Sequence, residues 1–267
     1  MLSRRLSMLG AVTSLALGVV GLPAAHAQPA PPPPLIENRL AAPALDGPRD
    51  VVERVLDYPA RTVVPPHTHP GPNFATLVTG EVTLTIQGQP DQVFHAGDSW
   101  IEPANTVHWG VVGDSPIRLI TATIVPSGAA QAAPAPAPAG APPAPAAPLP
   151  PATVETRVEA PDLSGPRDVI QTVQDLPPDT FAGPHTHPGP NFAVLVDGRV
   201  TLTRSPGGES NYVAGDTWIE AANLLHWAQF GDSGGYQYTA TVVPSGAPRA
   251  VPAAAPAPPA PAPAQVP

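Results

Sequence analysis

The chain has 267 residues, 43 of them proline, with 42% hydrophobic residues and no cysteine. The lack of thiols excludes disulfide scaffolds, thiolate metal sites and cysteine nucleophiles. All twelve basic residues are arginine, against 21 acidic ones and a net charge of −9, a balance that repels phosphate backbones and anionic lipid and argues against nucleic acid as a partner.

In chain order, residues 1–27 read as a secretory signal. Arg4-Arg5 form the basic start, Leu6 to Leu22 is apolar apart from small polar interruptions, and Ala25-His26-Ala27 is a small-x-small cleavage site. The apolar core falls short of the ~20 residues that a membrane span needs, so cleavage after Ala27 and a periplasmic or secreted product with no membrane span are expected. Ser3-Arg4-Arg5 also resembles a twin-arginine leader, although Ser7 stands where that signal has Phe, which leaves both export routes open. Cleavage removes two arginines and leaves ten basic residues against 21 acidic, a net charge of −11.

A proline-rich segment, 28–34, precedes two stretches of ordinary globular composition, 35–128 and 152–246. An Ala/Pro-rich linker at 129–151 separates them, and an Ala/Pro-rich tail at 247–267 is expected to be disordered. The two stretches are copies. Residues 46–128 align with 164–246 at a constant offset of 118 without a gap, with 46 identities in 83 positions. The linker composition predicts extended polyproline II of up to roughly 70 Å, compatible with paired or separated units.

Within each copy the pattern repeats every two residues. Val82-Thr83-Leu84-Thr85-Ile86 alternates apolar and polar, as a half-buried strand does, and Pro-Gly and Ala-Gly-Asp turns punctuate the rest. No segment keeps a helical period. Short strands over roughly 90 residues predict a small all-β sandwich or barrel.

Six of the histidines occupy repeat-related positions: His67, His69 and His108, then His185, His187 and His226. On a strand, residues i and i+2 share a face, so each His-x-His pair presents two imidazoles side by side, and a third from a neighbouring strand completes a set suited to a divalent transition metal. His95 is matched by Val213 and reads as an ordinary loop residue.

These residues resemble the motifs of the cupin family, small double-stranded β-helix barrels. His67, His69 and Gly80 fit the first motif, as do His185, His187 and Gly198; Gly97, Pro103 and His108 fit the second, as do Gly215 and His226. The resemblance implies an all-β fold of two tandem cupin (jelly-roll) barrels joined by the Ala/Pro linker. The family's glutamate ligand is here Asn73 and Asn191, to which the resemblance assigns a metal-ligand position with a weaker, neutral oxygen. The opening glycine of the first motif is Arg61 and Asp179, and a glycine of the second is Asn105 and Asn223, where Asn tolerates the left-handed conformation.

A compensating carboxylate stands in Trp100-Ile101-Glu102 and Trp218-Ile219-Glu220. Alternation puts Trp and Glu on one face, the inner one by resemblance, and a buried carboxylate without a partner is costly. Glu102 and Glu220 are therefore candidate fourth ligands or general acid/base groups. The alternative is a rim glutamate paired with Arg49 or Arg167. The opposite face, with Phe74, Ile101 and Trp109 and their counterparts Phe192, Ile219 and Trp227, is expected to join the two units or two chains of a homo-oligomer. Arg118, matched by Tyr236, marks a place where ligand preference can differ between copies.

The resemblance implies a metal-dependent dioxygenase holding Fe(II), or Mn, Ni, Cu or Zn, and acting on a small phenolic or diketone-like molecule. A non-catalytic module for a small ligand or metal, and a metal-dependent isomerase or lyase, are the competing expectations.

Overall fold

The computed structural model describes residues 31–143, 145 and 147–254; the expected signal segment and the end of the tail lie outside the described residues. The strands run β1 (Ile36–Ala41), β2 (Arg49–Tyr58), β3 (Val63–Thr68), β4 (Asn73–Thr79), β5 (Glu81–Ile86), β6 (Gln92–His95), β7 (Ser99–Glu102), β8 (His108–Val112), β9 (Ile117–Pro126) and β10 (Ala133–Pro134). The second copy follows as β11 (Val154–Glu159), β12 (Arg167–Leu176), β13 (Phe181–Thr186), β14 (Asn191–Ser205), β15 (Gly208–Val213), β16 (Thr217–Glu220), β17 (Leu225–Pro244) and β18 (Val251–Pro252). The described residues form an all-β molecule of two barrels.

The first barrel consists of the sheets β11-β2-β9-β4-β7 and β10-β3-β8-β5-β6. In the second, the corresponding strands merge into one eight-stranded sheet, because β14 and β17 run unbroken through positions where the first copy breaks. Pro116, with no amide hydrogen to donate, lies between β8 and β9, whereas its counterpart Gly234 lies inside β17.

One pairing crosses the sequence halves. β1, from the N-terminal copy, pairs antiparallel with β12 (Ile36 opposite Val173), and β11 pairs with β2 (Val154 opposite Val55). Each exchanged strand carries an arginine that clasps its host: Arg39 lies 2.6 Å from Asp168 and Arg157 2.7 Å from Asp50.

Alternation then sorts the side chains. Val51, Val55, Phe74, Ile120 and Ile124 of the first barrel pack with Val169, Val173, Phe192, Tyr238 and Val242 of the second in one apolar core, with Ile101 and Ile219 against it. The expected contact between the two units is therefore present for Phe74, Ile101 and their counterparts. Trp109 lies instead on β8, in the other sheet of its barrel.

A carboxyl group is buried beside that shared core. Glu53 is fully buried on β2 and neither carboxylate oxygen has a partner; burial raises its pKa from 4.5 to about 8. Its counterpart is Gln171, whose amide donates to the Tyr238 hydroxyl and to Phe74 O and whose carbonyl accepts from Thr76, 2.8 Å. Isosteric positions on the two halves thus carry an acid without partners and a fully bonded amide.

The Ala/Pro linker is not a free spacer. β10 adds to the edge of β3, and Leu149–Pro151 line the mouth of the first barrel. The start of the C-terminal tail is likewise ordered, since β18 pairs with β13. From the N-terminal proline-rich segment, Pro31–Pro34 line the second mouth.

Candidate metal centres

His67 lies on β3 and His69 just after it, and the 70–72 turn then leads into β4. Gly71 passes so close to β9 that a Cβ there would fall 1.8 Å from Ile124 O, and Gly189 repeats this at 1.9 Å from Val242 O. Only glycine lets this turn press against the sheet, so it fixes the distance from His69 to Asn73. On the far side, Asn105 adopts the expected left-handed conformation (φ 57°) and its N–H donates to His69 O, 2.7 Å; Asn223 (φ 59°) does the same to His187 O, 2.8 Å. Arg61 and Asp179, in the family's glycine position, also have positive φ, 60° and 59°.

His108 heads β8, with its Cα opposite His67, and Glu102 ends β7. The donor atoms of His67, His69, Glu102 and His108 all lie within 4.8 Å of one another, and so do those of His185, His187, Glu220 and His226. Each imidazole is oriented by its other nitrogen. Nδ1 of His67, His69 and His108 meets the backbone carbonyls of Pro65, Gln131 and Thr106 at 2.8, 2.8 and 2.9 Å, which places the proton on Nδ1 and turns the Nε2 lone pair toward the group. In the second barrel the acceptors are Gly183, Arg249 and Leu224, at 2.8, 2.7 and 2.8 Å.

The carboxylate is held as firmly. Trp100 Nε1 donates to Glu102 Oε1 (3.0 Å) and stacks on Phe94, leaving Oε2 3.2 Å from Nε2 of both His69 and His108. Those two Nε2 atoms are buried and lack a hydrogen bond, as does His226 Nε2 in the second barrel, whereas His187 Nε2 meets Glu220 Oε2 at 2.9 Å. Buried nitrogens without partners that converge on a carboxylate are what a divalent cation satisfies, and the donor set fits one. Burial opposes charge on Glu102, but the contacts from His108 and His69 outweigh it and hold the carboxyl well below its ordinary range. His108 is raised, its burial outweighed by Glu102, while burial lowers His67 and His185 to about 4.

Asn73 and Asn191 are brought to these groups in a role the resemblance did not imply. Asn73 Nδ2 donates to Glu102 Oε2 (2.5 Å), and its oxygen accepts from Thr123 (2.6 Å). Gln131 Nε2 donates to that threonine oxygen, 2.9 Å, so the hydroxyl hydrogen points to Asn73 and fixes the amide. Asn191 repeats the arrangement with Glu220 (2.6 Å) and Thr241 (2.6 Å). The asparagine oxygen therefore faces away from the donor group, and the amide positions the glutamate. Register explains the exchange: Asn73 is the direct cross-strand partner of Glu102, and Asn191 of Glu220. A carboxylate moved one strand sideways still reaches the same point.

Residues 54–123 match the family profile described as a cupin domain. The chain carries the cupin fold twice. Solved structures similar to this bicupin include variants of Bacillus subtilis oxalate decarboxylase OxdC. One aligns with TM-score 0.54 at 12% identity, covering 76% of this chain and 71% of that one; another aligns with TM-score 0.52 at 12% identity, covering 81% and 79%. At that identity the likeness concerns the fold. No curated protein sequence matches the chain.

Each metal group lines a cavity, of about 580 Å³ in the first barrel and about 820 Å³ in the second. Arg49 and Arg167, the alternative partners of the glutamates, bond backbone oxygens of Asp46 and Ser164 instead. Arg118 lies outside the cavities, paired with Asp57 at 2.8 Å. Sequence reasoning missed Gln131 and Arg249, whose carbonyls orient one histidine per site. A signal existed, since the offset of 118 continues through Gln131-Ala132 and Arg249-Ala250, and upstream through Glu37 and Glu155.

Proposed function

We propose that the protein is an exported metal-dependent enzyme of dioxygenase type, acting on a small organic substrate at a divalent metal in each barrel, with Fe(II) the favoured ion. Three imidazoles and one carboxylate converge in the wall of a largely apolar cavity, and this observation carries the reading. A bound metal of this kind supplies Lewis-acid and redox chemistry. The residues of the chain bind and orient. His67, His69 and His108 present Nε2, and Glu102 stays ionised and presents Oε2 while Trp100 holds its other oxygen. Leu56, Leu84 and Leu119 exclude water from the substrate side. Glu102 and Glu220 are thus read as ligands in preference to proton donors. Export rests on the leader read in residues 1–27.

The test is oxygen uptake by metal-reconstituted protein offered catechols, flavonols and β-diketones. Metal-dependent oxygen consumption that His69→Ala and His187→Ala abolish together is the expected result. Turnover without oxygen consumption would replace this reading by an isomerase or lyase, and ligand binding without turnover by a binding module.

A further inference from the structure

The two barrels share their donors but not their walls. Leu56 and Leu119 line the first cavity from adjacent strands β2 and β9; their repeat positions in the second cavity are Gln174 and Gln237. Other lining positions, Trp100 and Trp218 among them, keep their character. The exchange is therefore local: two facing apolar side chains become two amides.

Both walls nevertheless keep one guanidinium, supplied from different positions. Arg54 lines the first cavity, and its counterpart is Thr172, bonded to Thr239. Arg249 lines the second cavity, and its counterpart is Gln131. Each arginine lies beside the same repeat-related glutamate of an exchanged strand, Arg54 Nε 3.0 Å from Glu155 and Arg249 Nε 3.2 Å from Glu37. Arg54 Nε is buried and outside hydrogen-bond geometry with that glutamate, and one of its terminal nitrogens reaches only Gln131 Oε1, at 3.4 Å. A half-satisfied guanidinium in a cavity wall suits an anionic group.

We infer that the two cavities select different organic anions: the first one with an apolar body, packed on Leu56 and Leu119, and the second a hydroxylated one, met by Gln174 and Gln237. This deepens the reading of each barrel as a substrate site. An apolar side wall rewards hydrocarbon surface, while the buried Gln237 and half-buried Gln174 amides reject a ligand that leaves them unpaired.

Calorimetric titration of the metal-loaded protein with 3-phenylpropanoate, and separately with gluconate, tests this. One equivalent of each per chain is expected, binding together without competition. Leu56→Gln/Leu119→Gln should weaken 3-phenylpropanoate about tenfold or more and leave gluconate unchanged. Gln174→Leu/Gln237→Leu should create a second 3-phenylpropanoate site, a gain that misfolding cannot mimic. Two equal sites for one probe in the unaltered protein, no binding of either at millimolar concentration, or 3-phenylpropanoate affinity indifferent to all four substitutions would overturn the inference. Metal content is measured alongside. Two metals per chain with undiscriminating cavities sinks this inference alone, and a metal-free chain that still discriminates sinks the metal reading alone.

Discussion

At residue scale, the informative position is the glutamate that replaces a glutamate. Glu102 reaches the three imidazoles from β7, while Asn73, directly opposite on β4, has become the donor that holds it. Losing even a group that supports a metal ligand costs about 10–100-fold in metal affinity, so Glu102→Gln, which removes the ligand itself, should lose at least that much at the first site only, measured by competitive chelator titration. Asn73→Glu added to Glu102→Gln should recover most of it, because the carboxylate returns by the neighbouring strand. The carboxylate was legible in the sequence, since Trp100 and Glu102 alternate onto the inner face and a buried acid needs a partner. The asparagine's role was not, because its amide is oriented by Thr123 and Gln131, 50 and 58 residues downstream.

Glu53 makes a second prediction at this scale. In the fold it is neutral up to a pKa of about 8, whereas unfolded it ionises near 4.5. Its protonated form suits the core, so the penalty is absent below pH 4.5, grows as pH rises and is complete above about pH 8, on the order of 5 kcal/mol. Melting temperature should therefore fall between pH 6 and 9, and Glu53→Gln, the residue present at position 171, should flatten the fall and gain about 5 °C or more at pH 9. Parallel pH curves for the two proteins, recorded by scanning calorimetry, would contradict the assignment.

At the scale of elements, the Ala/Pro segments are parts of the sites they border. His187 leans on the carbonyl of Arg249, two residues before β18. Ending the chain after Pro248 should weaken metal binding at the second site about 10–100-fold and spare the first, while ending it after Ala254 should leave both intact. Composition alone suggested spacer and disordered tail, since proline and alanine carry no periodic signal; what holds these residues is backbone pairing with β3 and β13. The exchanged strands were hidden for a different reason. The alternation of Ile36–Ala41 specifies a half-buried edge strand, but β2 and β12 both begin Arg-Asp-Val and accept it equally.

For the whole molecule, strand exchange ties each barrel to both halves of the chain, and the shared core makes them one body. A fragment spanning residues 35–128 lacks β11, which exposes the edge of β2, whereas 46–160 keeps it. The second fragment should give the larger soluble yield and the sharper thermal transition; the reverse order would mean that β1 returns to its own copy. The all-β class and the repeat were readable from period and offset. The asymmetry of the halves required the structure, because it resides in a few interior positions that alternation marks only as inward.

The claim on which the rest depends is that each barrel is a metal centre built by three imidazoles and a displaced carboxylate. Elemental analysis of protein equilibrated with Mn(II), Fe(II) or Zn(II) and then dialysed tests it most directly. Two ions per chain are predicted, falling to one when His69, Glu102 and His108 are replaced together by alanine. A chain that emerges without metal from all three would contradict the account.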